Sequence, residues 1–181
     1  MNFAVVGKGG GRMIIRTERF GDLEAGEDRI IHFTVGMPGF CHLYRYVLVE
    51  QREQLPFRWL QAVDDPGLAF LVIRPEEFLP SYEPPVPEAE LQGLGLESLQ
   101  EAEVYCLVAV PEDPRQMTAN LRAPVLINPK NRKARQVILA DGGYAIKHRL
   151  LEGMLLAAGK AKDEGKPAVE SGAVGARVVS R

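Results

Sequence analysis

A chain of 181 residues with 46% apolar and 25% charged side chains can bury one ordinary core, and its composition is that of a soluble globular protein. The longest apolar runs, residues 68–73 and 104–110, are far shorter than the ~20 residues that span a bilayer, and residues 1–8 lack a charged leader followed by an apolar stretch. A cytoplasmic protein is therefore predicted, and its net charge of −2 conceals two halves of opposite sign: residues 50–113 hold 14 acids against Arg52, Arg58 and Arg74, whereas residues 115–149 hold 8 bases against Asp141.

Residues 1–12 read as a flexible N-terminal extension. Their run Gly7-Lys8-Gly9-Gly10-Gly11 is followed by Arg12 and Met13, not by the Lys-Ser/Thr and helix start that a phosphate-binding loop requires. Strand patterns then follow at 13–17, 29–33, 46–50, 57–63, 68–73, 104–110, 116–121, 125–128 and 135–139. Turn residues separate many of them, at Gly36-Met37-Pro38-Gly39, Asp64-Asp65-Pro66-Gly67 and Asn128-Pro129-Lys130-Asn131 among others. In the clearest hairpin, residues 57–73, Pro66 presets φ and Gly67 is expected to supply a positive one. Connections of four or five residues demand antiparallel neighbours, because a parallel crossover needs a dozen or more.

Helix signals are few. Residues 87–92 open on proline and acids and are expected to stop at Gly93. A second candidate covers 149–162, with Leu151, Met154, Leu155 and Ala158 on one stripe, and no periodicity follows Glu164. The predicted fold is all-β: a small antiparallel barrel-like or sandwich domain over 13–151 with short helices, then a tail over 152–181 that is partly helical and then disordered.

No pattern points to catalysis. Cys41 and Cys106 are isolated and read as two reduced, largely buried thiols. The spacing of His32, Cys41 and His42 matches no common metal site, and no serine or cysteine has an acid–base partner nearby in sequence. The carboxylate pairs Asp64/Asp65, Glu76/Glu77 and Glu112/Asp113 sit where turn and helix capping explains them. No catalytic, metal or cofactor residue is predicted, and the chain is not expected to be an enzyme; a barrel enzyme would need a deep pocket with perturbed titratable groups. Lys130, Arg132, Lys133 and Arg135 form the one basic cluster that could track phosphates, which leaves an RNA-binding β-barrel as the alternative reading. The cluster has no aromatic residue for base stacking and reads better as a solvated turn. Phe40, Tyr44, Tyr46, Phe57 and Trp59 are mostly core, with one or two at an edge available as partner anchors; Ala123-Pro124 marks another strand edge.

Six blocks then carry a resemblance: Met13-Ile-Ile-Arg-Thr-Glu-Arg-Phe-Gly21, Gly36-Met-Pro-Gly-Phe40, Phe57-Arg-Trp-Leu-Gln-Ala-Val-Asp-Asp-Pro66, Val110-Pro-Glu-Asp-Pro114, Met117-Thr-Ala-Asn-Leu-Arg-Ala-Pro124 and Ile127-Asn-Pro-Lys-Asn-Arg-Lys133. In this order and spacing they resemble the flagellar assembly factor FliW family over roughly 13–151. The resemblance implies a small β-barrel-like protein without enzymatic activity, monomeric when alone, that binds no nucleic acid and no membrane. It further implies two protein partners: newly made flagellin, and CsrA, an RNA-binding repressor of flagellin translation. Flagellin that accumulates would occupy the protein and release CsrA; export of flagellin would reverse this. For CsrA, which must be basic where it holds RNA, the expected contact is the acidic region with Asp64, Asp65, Glu76 and Glu77. For flagellin, the expected apolar strip is either Phe40, Phe57 and Trp59 or the edge from Asn120 to Pro124.

Overall fold

The computed structural model describes residues 4–5, 11–140 and 143–151, the first pair by backbone alone. In chain order the elements are β1 (Ala4–Val5), β2 (Arg12–Thr17), β3 (Gly21–Gly26), β4 (Ile31–Phe33), β5 (Arg45–Glu50), β6 (Arg58–Ala62), β7 (Ala69–Ile73), α1 (Glu88–Leu94), β8 (Glu103–Ala109), β9 (Thr118–Ala119), β10 (Val125–Ile127), β11 (Lys133–Gln136) and β12 (His148–Arg149). Seven of these strands close into a barrel in the order β4-β5-β6-β7-β8-β10-β11 and back to β4. Every seam is antiparallel except β11–β4. Strand β8 makes closure feasible: one edge pairs with β7, while the other pairs first with β10 (Tyr105↔Val125) and then with β9 (Val108↔Ala119).

The alternation of side chains on β5 sets the layers. Tyr46 and Leu48 point into the barrel, where they meet Ile31, Phe33, Leu60, Val72 and Ile127. Val47 and Val49 point outward, yet they are buried too, because the β2–β3 hairpin lays Ile15, Leu23 and Ala25 over them. Burying a large apolar side chain in this way contributes about 1.5–3 kcal/mol. A second outer cover brings Phe78, Leu121 and Leu150 onto Ile73 and Cys106, and a third packs Leu91 and Leu94 of α1 against Leu126, Val137 and Leu139. Tyr46 is fully enclosed with its ring 4.9 Å from that of Phe33, and burial pushes its phenol up to about 12.

Two buried amides pin the turns. Gln61 is wholly buried, and its Nε2 donates to the carbonyls of Ala62 (3.0 Å), Asp65 (3.1 Å) and Leu68 (3.0 Å), tying the β6–β7 turn to its own strand. Asn128 Nδ2 donates to the carbonyls of Leu94 (3.0 Å) and Gly95 (3.1 Å) at the end of α1, and its Oδ1 accepts from the Lys130 N–H (2.8 Å). Asn131 Nδ2 adds a bond to Leu94 O at 3.0 Å. The turn at 128–131 is therefore a clamp that fastens α1 to the barrel.

Several expectations are corrected. Gly67 does not adopt a positive φ; what restricts it is space, since a Cβ there would come within 3.3 Å of the Glu18 carboxylate. Helix α1 runs through Gly93 to Leu94 and is capped by Gly95, whose φ of 73° provides the left-handed C-cap, because continuing two residues further buries Leu94. Cys41 is exposed, not buried, whereas burial pushes the Cys106 thiol up to about 12. Strand β3 has no counterpart among the predicted strands: glycines at both ends and outward Asp22 and Glu24 obscure the alternation of Leu23 and Ala25. Ala4 and Val5, within the expected extension, pair with Glu50 and Val49 of β5. The candidate helix at 149–162 begins with helical backbone at Leu150 and Leu151, and the rest of it lies outside the described residues.

Candidate functional site

Strand register assigns the candidate residues to two opposite ends of the barrel. One end carries Arg45, the 64–67 turn, Val108 and Gln136; the other carries Glu50, Arg58, Arg74 and Glu103. Asp64 and Asp65 lie at the first end. Arg45 Nε donates to Asp64 Oδ2 at 3.0 Å and Arg45 Nη2 contacts Oδ1. This hydrogen bonding holds the Asp64 carboxyl below its ordinary value and raises the Arg45 guanidinium. Asp65 Oδ1 accepts from the Gly67 N–H (3.1 Å), as a turn cap does. Glu76 and Glu77 lie past the far end of β7, roughly 17 Å away at the rise of an extended strand. Glu76 accepts from Arg74 Nη1 at 3.2 Å, and Glu77 is exposed beside it. The four acids thus form two separate patches. The opposite charges of the two halves also interleave, through Arg135–Glu90 (2.9 Å) and Lys130–Glu101 (3.6 Å), which occupies two of the four cations in the basic turn.

The aromatic trio does not form a strip. Phe40 packs on the barrel interior with its ring 5.2 Å from Phe70. Phe57 joins the cluster under Leu79 and Tyr82. Trp59 lies beneath the hairpin, edge-on to Phe20 at 6.0 Å, with the Arg19 guanidinium 4.1 Å over its ring and its Nε1 bonded to Gln54 Oε1. Each ring already has packing partners from its own layer.

The edge at Asn120 and Pro124 is different. Asn120 Oδ1 accepts from the N–H groups of Arg122 and Ala123, both at 3.1 Å, and shapes the connection between β9 and β10. Pro124 is buried and anchors the edge through its carbonyl, which accepts from Val137 N at 2.9 Å. Above it opens a groove of about 430 Å³ lined by Pro38, Leu107, Asn120, Ala123, Ile138 and Ile146, with Arg122 and Gln136 at its rim. Ile138 is 65% and Ile146 57% exposed. The sequence held a signal for Ile138: in the strand pattern 135–139 it falls on the face opposite Val137 and Leu139, both buried. Ile146 had none.

Among the described residues, no three His, Cys, Asp or Glu side chains gather as a metal site would require, and no helix is long and apolar enough to cross a membrane. His32 is an exposed residue of β4, and the His148 ring stacks 5.5 Å from Phe78. Asp113 Oδ1 accepts from the Arg115 N–H (3.1 Å), the capping role expected of it.

The model of the FliW protein family matches residues 14–150. A flagellar assembly factor FliW from Thermoanaerobacter pseudethanolicus is 42% identical over 141 residues, covering 77% of this chain and 94% of that protein. The Alkaliphilus metalliredigens FliW is 41% identical over 77% of this chain and 87% of its own length. A crystal structure of the flagellar assembly factor FliW superposes with a TM-score of 0.71 at 38% identity, over 76% of this chain and 96% of that one. With fold and sequence in agreement over nearly the whole length of these relatives, the chain belongs to the FliW family of flagellar assembly factors.

Proposed function

We propose that this protein acts in the cytoplasm as a non-enzymatic adaptor that binds flagellin and, alternatively, CsrA, and so couples flagellin synthesis to export. The observation that carries the flagellin half is the groove with Ile138 and Ile146: two large aliphatic side chains open to solvent at one barrel end, in a groove that Pro38 and Leu107 also line. The polymerising ends of flagellin are amphipathic, and an apolar furrow with a polar rim suits an amphipathic segment. Phe40, Phe57 and Trp59 are divided among three packing layers, Phe40 beside Phe70 and Trp59 beside Phe20, and so offer no shared apolar strip.

CsrA approaches the acids. Asp64 and Asp65 have structural duties in the turn, so Glu76 and Glu77 are the acids that a basic partner can meet at little structural cost. An exposed pair such as Arg74–Glu76 contributes only about 0–1 kcal/mol to the fold. The double variant Glu76→Lys/Glu77→Lys is therefore expected to keep its Tm while its association with CsrA slows by roughly three- to ten-fold at low salt, with a flatter salt dependence. Stopped-flow or surface-based kinetics at several salt concentrations measure this. Unchanged association rates would remove these two acids from the contact. The alternative of an RNA-binding barrel is disfavoured by the pairing of Lys130 and Arg135 with Glu101 and Glu90.

A further inference from the structure

The barrel end opposite the apolar groove holds a second cavity, of about 170 Å³, whose wall of Val47, Leu48 and Tyr105 also carries Arg29, Arg58, Arg74 and Arg132 together with Glu50 and Glu103. The four arginines arrive from four separate places in the chain, so nothing in the sequence marked them as a group. Their hydrogen bonds are incomplete. Arg58 Nε donates to Glu50 Oε2 at 3.0 Å, but its shielded Nη1 has no acceptor in the protein. Arg29 Nε and Nη2 and Arg132 Nε are equally shielded and equally without an acceptor, the Asp28 carboxylate standing 3.6 Å from Arg29 Nε. Shielded guanidinium nitrogens on three arginines that line one cavity are rare without an acceptor, because each loses its hydration for no return.

A second, independent feature is the backbone of Arg132. Its φ is 60°, the only positive value at a non-glycine residue among those described, and glycine or asparagine adopts it with less strain. The conformation is enforced from both sides: the Arg132 N–H donates to Asn128 O at 2.9 Å, and its carbonyl accepts from the His32 N–H at 2.9 Å. A long cationic side chain held on a left-handed backbone at the wall of this cavity is the kind of local strain that persists where a side chain has a task.

We propose that this cavity is a binding site for a small phosphate-type oxyanion, with Arg29, Arg58 and Arg132 donating to its oxygens. The carboxylates of Glu50, Glu103, Asp28 and Glu76 balance the four guanidinium groups in formal charge, so the preference for an oxyanion comes from the shielded guanidinium N–H groups that have no acceptor in the protein. A space of about 170 Å³ has room for one phosphoryl group. Glu50 and Arg74 are committed to their partners, Arg58 and the Tyr105 hydroxyl with Glu76, and hold the wall in shape.

Isothermal titration of the full chain with inorganic phosphate at fixed ionic strength tests this, with chloride as the control and Tm followed in parallel. The expected result is saturable one-to-one binding of phosphate and none of chloride. The Arg132→Gly variant relieves the backbone strain, so it is expected to fold with an unchanged or higher Tm while binding phosphate at least ten-fold more weakly; Arg29→Gln weakens it in the same direction. Absence of saturable phosphate binding in the unmodified chain, or binding retained by a folded Arg132→Gly, would overturn the proposal. Flagellin and CsrA play no part in the assay, so its outcome is independent of the adaptor reading.

Discussion

Asn128→Ala is expected to destabilise the protein by about 2–4 kcal/mol and to loosen α1 before the barrel unfolds. The side chain is 1% exposed and makes three hydrogen bonds, two of them to carbonyls at the end of α1 that the helix itself leaves open. Its removal strands Gly95 O and the Lys130 N–H; Leu94 O keeps one donor, Asn131 Nδ2, which is why the loss is partial. Leu91 and Leu94 would then lose the fixed seat that packs them on Leu126 and Leu139. Urea unfolding gives the global figure. Amide hydrogen exchange over residues 88–94 should accelerate more than exchange in β5 and β6, and uniform acceleration would contradict the clamp.

Gln61→Glu is expected to cost more, about 3–5 kcal/mol at pH 7, although the two side chains have nearly the same shape. Nε2 of Gln61 is a donor surrounded by the carbonyls of Ala62, Asp65, Pro66 and Leu68. A carboxylate placed there has only acceptors to offer, in a wholly buried site, so its folded pKa must rise above the ordinary glutamate value of about 4.3. The sign of the pH dependence follows. Above the raised pKa the folded state holds a buried charge and the deficit is greatest; as pH falls toward 4 the group protonates in both states and the deficit shrinks. Thermal melts of the variant and the unmodified chain between pH 4 and 8 measure the gap. A gap independent of pH would show that the carboxylate reaches solvent.

The strand pattern was legible because most strands present one apolar face. Tyr46 and Leu48, Leu60 and Ala62, Val125 and Ile127 alternate or run together as buried positions should, and turn residues separate them. Closure into a barrel was not legible from local pattern, since it depends on the parallel seam between Lys133↔His32 and Ala134↔Phe33, a hundred residues apart. Neither was the division of the aromatics: Phe57 and Trp59 are two residues apart and share a face of the predicted strand 57–63, yet Phe57 precedes β6 and joins the layer of Leu79 while Trp59 meets the hairpin. The Asn120–Pro124 edge was legible through its proline, but its partner Ile146 arrives from a connection between distant strands. The arginine cavity was invisible for the same reason, being assembled only by the fold.

The central proposal is that the exposed apolar groove on the barrel receives flagellin. Titrating purified flagellin into the full chain and into the double variant Ile138→Lys/Ile146→Lys tests it most directly. Both isoleucines face solvent, so the variant is expected to keep its Tm within about 2 °C. One-to-one binding by the unmodified chain, weakened at least ten-fold in the variant, is the predicted result. Equal affinity for both, or no binding of flagellin by the unmodified chain, would contradict the account.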